Sequence, residues 1–214
     1  MAIISIHANI RKKSSHFVLK ELEIIVTNSV QAHKTALIII DMINDLHFEH
    51  GERLLKHALP VAKNIAELKK VAYRNHLPVI YVNDNYGRWQ SDFRHLVEHC
   101  LHKDVLGKPL AELLKPGVHD YFVLKPQFSG FFGTPLNILL EHLGIDTLII
   151  TGVAGNMCVQ FTANDAYMNH YRIFIPSDCV ASNSQEENHE ALKTMENVIK
   201  ATITPSTDKS FPFS

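Results

Sequence analysis

Apolar residues along this chain fall into two kinds of run that alternate. Ala36-Leu37-Ile38-Ile39-Ile40 is a continuous apolar stretch that stops at Asp41, the pattern of a strand buried on both faces of a parallel sheet. From Pro60 to about Asn75 the apolar positions Val61, Ile65, Leu68 and Ala72 recur at helical spacing, and Pro60 suits a first turn. Further strands are predicted at Pro78–Val82, Tyr121–Leu124, Thr147–Thr151 and Arg172–Ile175, with a short sixth at Ala201–Thr204. Further helices are predicted at Pro135–Leu143, stopped by Gly144, from Met157 to about His170, and over Glu186–Ile199. This alternation argues one doubly wound α/β domain. Residues 83–108 make a longer connection than such domains ordinarily carry, which marks them as functional. Beyond Pro205 the chain turns polar and reads as a loose tail.

Composition narrows the class. The 214 residues are 46% hydrophobic and 20% charged, which excludes a disordered, collagen-like or coiled-coil chain. A chain of this size buries about 70% of its unfolded surface, ample for one core. The net charge of -1 supplies no field for nucleic acid or an anionic membrane, so neither is an expected partner. No apolar run approaches the ~20 residues that span a bilayer. In the first residues the basic cluster Arg11-Lys12-Lys13 follows the apolar ones, the reverse of a secretory signal. Residues 1–34 read as an arm packed on the body or on a neighbouring subunit, 35–205 as the domain, and 206–214 as the tail. Cys100, Cys158 and Cys179 are too few for a disulfide framework, and none sits in a C-x-x-C pair. They fit a reducing, cytoplasmic compartment with room for one reactive thiol.

Ligands of open α/β sheets sit outside the carboxyl ends of the strands. Three reactive residues fall there: Asp41, Lys125 and Cys158. Singly, Asp41 reads as a helix cap, Lys125 as a solvated end-of-strand charge and Cys158 as a small core residue. Together at one rim they read as a site. Thr151-Gly152-Val153-Ala154-Gly155-Asn156-Met157-Cys158 runs from a buried strand through two glycines into a helix. A cysteine at a helix N-terminus has its thiolate stabilised by backbone N–H groups, which can also hold a developing oxyanion. Two motifs are decoys. The glycines make neither a dinucleotide fingerprint nor a phosphate loop. His95-Leu96-Val97-Glu98-His99 matches the inverted zinc-protease pattern weakly, and a wet helix face carrying His95, His99 and His102 is the plainer reading.

Three blocks carry a resemblance: Thr35 to Asp45, Leu124 to Thr134, and Thr151 to Val159 continuing to Thr162-Ala163-Asn164-Asp165-Ala166. In order and spacing they resemble the isochorismatase-like cysteine hydrolases, the superfamily of isochorismatases, nicotinamidases and N-carbamoylsarcosine amidohydrolases, over roughly residues 35–204. The resemblance implies a three-layer α/β/α sandwich around a six-stranded parallel sheet, Rossmann-like, in strand order 3-2-1-4-5-6. It implies a triad of Asp41, Lys125 and Cys158, a cis peptide at Val153–Ala154, and homodimers or homotetramers. Two departures stand out. Ile43 replaces a frequent Gln, and Asn83-Asp84-Asn85-Tyr86 lacks the His of the nicotinamidase metal motif, so no metal or other cofactor is expected.

The leading reading is a cysteine hydrolase of a small amide, ureido or related C–N bond. Cys158 attacks, Asp41 moves the proton, Lys125 steadies the thiolate, and the N–H groups of Ala154 and Cys158 hold the oxyanion. Asn85, Trp89, Gln127, Phe128 and Phe132 are the candidate contacts to a small-molecule substrate. The alternatives are an isochorismatase cleaving a vinyl ether, which the presence of the cysteine disfavours, and a non-catalytic scaffold, which an intact triad disfavours.

Overall fold

A computed structural model describes residues 34–87, 89, 92–102 and 104–212. The arm expected over 1–34 lies, but for Lys34, outside them. Strands are β1 (Thr35–Ile40), β2 (Val79–Asp84), β3 (Tyr121–Lys125), β4 (Thr147–Val153), β5 (Arg172–Phe174) and β6 (Val180–Ala181). The helices are α1 (Gly51–Arg74), α2 (Phe93–His102), α3 (Lys108–Leu113), α4 (Leu136–His142), α5 (Gln160–Met168) and α6 (Gln185–Ile199).

All strand pairs are parallel, in the order β3-β2-β1-β4-β5, with the two-residue β6 pairing with the end of β4. Every residue of β1 and β4 is buried, as continuous apolar runs at the centre of a covered sheet require. Their flanking layers put Leu136, Leu140, Ala163 and Ala166 on one side, and Ala58, Ile65 and Ala72 among the core residues of α1. No helix among the described residues is long and apolar enough to cross a membrane.

Register decides where chemistry can occur. Ile40 pairs with both Val82 and Gly152, and Asp84 pairs with Lys125. The carboxyl ends of β1, β2, β3 and β4 therefore finish at one level.

Four expectations need correction. Helix α1 begins nine residues before Pro60, which sits inside it rather than in its first turn. An interior proline removes one helical hydrogen bond, and burial of Leu54, Ala58 and Val61 outweighs that local cost. The sixth strand is Val180–Ala181, while Ala201–Thr204 contributes one parallel bridge, Thr202 to Phe174, beside β5. The stretch 83–108 is not one long connection, because it contains α2, whose His95 is exposed while His99 turns inward to within 3.0 Å of the Asp45 carboxylate instead of lying on a wet face. The tail is tied down. Asp178 accepts hydrogen bonds from the amides and hydroxyls of Ser206 and Thr207, and Phe211 is buried edge-on against Phe174.

Candidate active site

Asp41 follows β1 directly and turns into the left-handed region, with φ 52°. Aspartate tolerates that conformation better than most side-chain-bearing residues. Its amide donates to the Val82 carbonyl at 3.0 Å, and its Oδ1 accepts from the Asp84 amide at 2.7 Å. Lys125 is the last residue of β3 and wholly buried. Cys158 arrives by a tighter route. Gly152, with φ 115°, lies so close to β1 that a Cβ there would overlap the Ile40 carbonyl. The Val153–Ala154 peptide is cis, as the resemblance implied. The turn that follows, Gly155–Val159, is π-helical, and α5 begins only at Gln160. The cysteine thus sits in a π turn and not in the first turn of an α-helix.

These segments converge. Lys125 Nζ lies 2.9 Å from Asp41 Oδ2 and donates to Cys158 Sγ at 3.4 Å. The Asp41 carboxylate and the Cys158 thiol are near enough to shift one another's proton affinity. Burial pushes Asp41 above the usual carboxylate range, against the pull of Lys125. Burial alone would lower Lys125, yet Asp41, Cys158 and Asp84 together hold its ammonium above the ordinary lysine range. Burial, helped by the Asp41 carboxylate, pushes the Cys158 thiol up to about 12, with Lys125 pulling the other way. Burial and Asp41 thus favour the protonated thiol while Lys125 favours the thiolate, which suits the sequence expectation that Asp41 takes the thiol proton. A thiol in this state becomes a nucleophile when Asp41 takes its proton. Cys158 is half-buried, whereas Cys100 and Cys179 are buried outright.

Sequence reasoning missed Asp84. Its carboxylate lies 3.5 Å from Lys125 Nζ, and its amide holds Asp41. The apolar pattern ends β2 at Val82, two residues short, which puts Asp84 in a loop instead of at the rim. A cavity of about 290 Å³ opens beside Asp84, walled by Asp45, Phe48, Asn85, Leu96, His99 and Leu124 among others. Of the five expected substrate contacts, Asn85 lines this cavity, and its side chain also accepts from the Gly87 amide. Trp89, Gln127, Phe128 and Phe132 are exposed, with the Phe128 ring against Phe161 at 5.4 Å.

The metal motif of the nicotinamidase branch does not fit here. Tyr86 stands in place of the His, and the Asp84 carboxylate is engaged by the Tyr86 amide and Lys125. No group of three or more His, Cys, Asp or Glu among the described residues is placed to hold a metal ion.

Comparison with known proteins agrees with this fold. The family model described as Isochorismatase domain matches residues 35–207. An uncharacterized isochorismatase family protein of Bacillus subtilis, YaaI, is 48% identical over 79% of this chain and 92% of its own. Nicotinamidase 3 of Arabidopsis thaliana is 30% identical over 73% of this chain and 77% of its own. The crystal structure of N-carbamoylsarcosine amidase from Thermoplasma acidophilum superposes with a TM-score of 0.65 at 28% identity, covering 83% of this chain and 99% of that one. A match across the whole sheet and all three rim segments leaves one conclusion: this chain belongs to the isochorismatase family of hydrolases.

Proposed function

We propose that the protein hydrolyses a small amide, ureido or related C–N bond through a thioester on Cys158. The observation that carries the reading is the position of the Lys125 ammonium, within 2.9 Å of Asp41 and 3.4 Å of Cys158. A carboxylate beside a thiolate repels it, and a cation between them lets both charges occupy one pocket.

Asp41 takes the thiol proton as Sγ bonds to the carbonyl carbon. The negative charge that develops on the carbonyl oxygen is held by the N–H groups of Ala154 and Cys158. Collapse breaks the C–N bond, and Asp41 returns its proton to the leaving nitrogen. Water then attacks the thioester with Asp41 again as base, the C–S bond breaks, and the thiol is restored. Nicotinamidase 3 and the N-carbamoylsarcosine amidase, by their names, also cleave C–N bonds, which supports amide chemistry over vinyl ether cleavage.

Ammonia release from a panel of small amides and ureido compounds, run beside isochorismate, tests this directly. The expected result is release from at least one C–N substrate, lost in Cys158→Ala. Turnover of isochorismate alone, or release that survives Cys158→Ala, would overturn it.

A further inference from the structure

Thr162 stands between the two segments that carry the thiol and the lysine. It is fully buried on α5. Its hydroxyl donates to the Cys158 carbonyl at 2.6 Å and accepts from the Gly130 amide at 2.9 Å. A threonine bonded to the carbonyl four residues back is ordinary inside a helix. Here that carbonyl belongs to the π-helical turn before α5, and the same hydroxyl also holds a loop 32 residues away. That loop leaves β3 at Lys125. At Gly130 it packs so closely on β2 and the start of α4 that a Cβ would crowd Val82 and Leu136, with the Thr162 methyl in ordinary contact.

A hydroxyl offers one donor and two acceptor positions, so Thr162 uses both kinds at once. Its neighbours tighten the same seam: Ser129 donates to Asp165, one turn further along α5, and Thr134 donates back to the Gly130 carbonyl. Neither of those bonds reaches the cysteine. The Thr162 hydroxyl alone joins the backbone of Cys158 to the backbone of the Lys125 loop in these contacts.

We propose that Thr162 is a positioning residue, whose single hydroxyl fixes the separation of the Cys158 thiol and the Lys125 ammonium. The inference rests on Cys158 as nucleophile. Valine at 162 keeps the shape but deletes the donor and leaves the buried Gly130 N–H without an acceptor. The nucleophile turn and the lysine loop then relax independently, and sub-ångström errors of this kind slow a reacting pair by about tenfold or more.

The test is the rate of Cys158 alkylation by iodoacetamide across pH, read by mass spectrometry, in wild type, Thr162→Val, Thr162→Ala and Thr162→Ser. In Thr162→Val the rate at neutral pH should fall about tenfold with its pH midpoint raised, and Thr162→Ser should restore both. Should Thr162→Val not fold, alanine and serine make the comparison, since both lack the methyl and only alanine lacks the hydroxyl. Equal rates and midpoints in folded valine and serine variants, or in alanine and serine, would overturn the proposal while leaving Cys158 as nucleophile. Preferential labelling of Cys100 or Cys179 in the wild type would instead remove the nucleophile assignment, and this inference with it.

Discussion

Among the described residues two lysines are buried against carboxylates, and they are built for different ends. Lys69 of α1 is 2.9 Å from Asp120 and also donates to the Tyr81 hydroxyl at 2.7 Å and the Lys115 carbonyl at 2.9 Å. Asp120 is closed off in turn by the Tyr73 hydroxyl and the Gly117 amide. Every partner in that network is fixed and none is a nucleophile. Burial holds the Lys69 ammonium below the ordinary lysine range despite Asp120. Lys125 has two carboxylates and a half-buried thiol, and its ammonium sits above that range. A closed network of this type ties α1 to the sheet. The open one leaves a proton that can move between sulfur and carboxylate.

Removing each cation should separate the two roles. Lys125→Met has the larger effect. It leaves the buried Asp41 without its counter-charge and with the half-exposed Asp84 nearby, so the folded state loses ~3 kcal/mol or more and turnover falls at least about a hundredfold. Denaturant melts and ammonia-release kinetics would record both. Lys69→Met should destabilise by a similar ~3 kcal/mol, because the Asp120 carboxylate keeps the Tyr73 and Gly117 bonds but loses its counter-charge. Its Cys158 alkylation rate and its turnover should stay within about twofold of wild type in the folded protein. A large loss of Cys158 reactivity in Lys69→Met would erase the distinction.

The smallest effect is in alkaline stability, where the two lysines should slope in opposite directions. Lys125 is raised in the fold, so its contribution is complete below the ordinary value of 10.5 and is lost as pH climbs through its higher folded value. Lys69 is lowered, so its charge costs stability at neutral pH, and that cost fades as pH rises from its folded value towards 10.5. The stability gap between wild type and Lys69→Met should widen with pH below 10.5, and the gap to Lys125→Met should narrow above it. Urea melts at a series of pH values give both slopes.

Much of the rim around Lys125 is legible in the amino-acid sequence alone. The central strands stand out because β1 and β4 are buried on both faces, and only a covered strand or a buried helix segment needs a continuous apolar run. Asp41 and Lys125 follow from where the strand runs stop. What escapes depends on contacts between distant segments. Asp84 is hidden because the end of β2 is set by pairing with Lys125 of β3, not by its own polar sequence Asn83-Asp84. The start of α1 is misplaced because Pro60 is tolerated in its interior by packing that no local pattern displays. Nothing in the sequence singles out Lys69, since its partners Tyr81, Lys115 and Asp120 come from three separate stretches of chain. The protonation state of Cys158 escapes for a related reason. Sequence shows a cysteine near a helix start, but burial and the adjacent Asp41 decide where its proton rests.

The central claim, that Asp41 and Lys125 act on the Cys158 thiol from opposite sides, has one direct test. The thiol's titration midpoint can be followed by ultraviolet thiolate absorbance or by alkylation rate in wild type, Asp41→Asn and Lys125→Met, with Cys158→Ala as the blank. The wild-type thiol should titrate far above the free-cysteine value of about 8.5, towards about 12. Asp41→Asn removes the repelling carboxylate and should lower the midpoint, giving faster alkylation at neutral pH in a protein that no longer turns over. Lys125→Met removes the attracting cation and should raise it. Shifts of opposite sign are the predicted result; a midpoint that moves the same way in both variants, or in neither, would contradict the account.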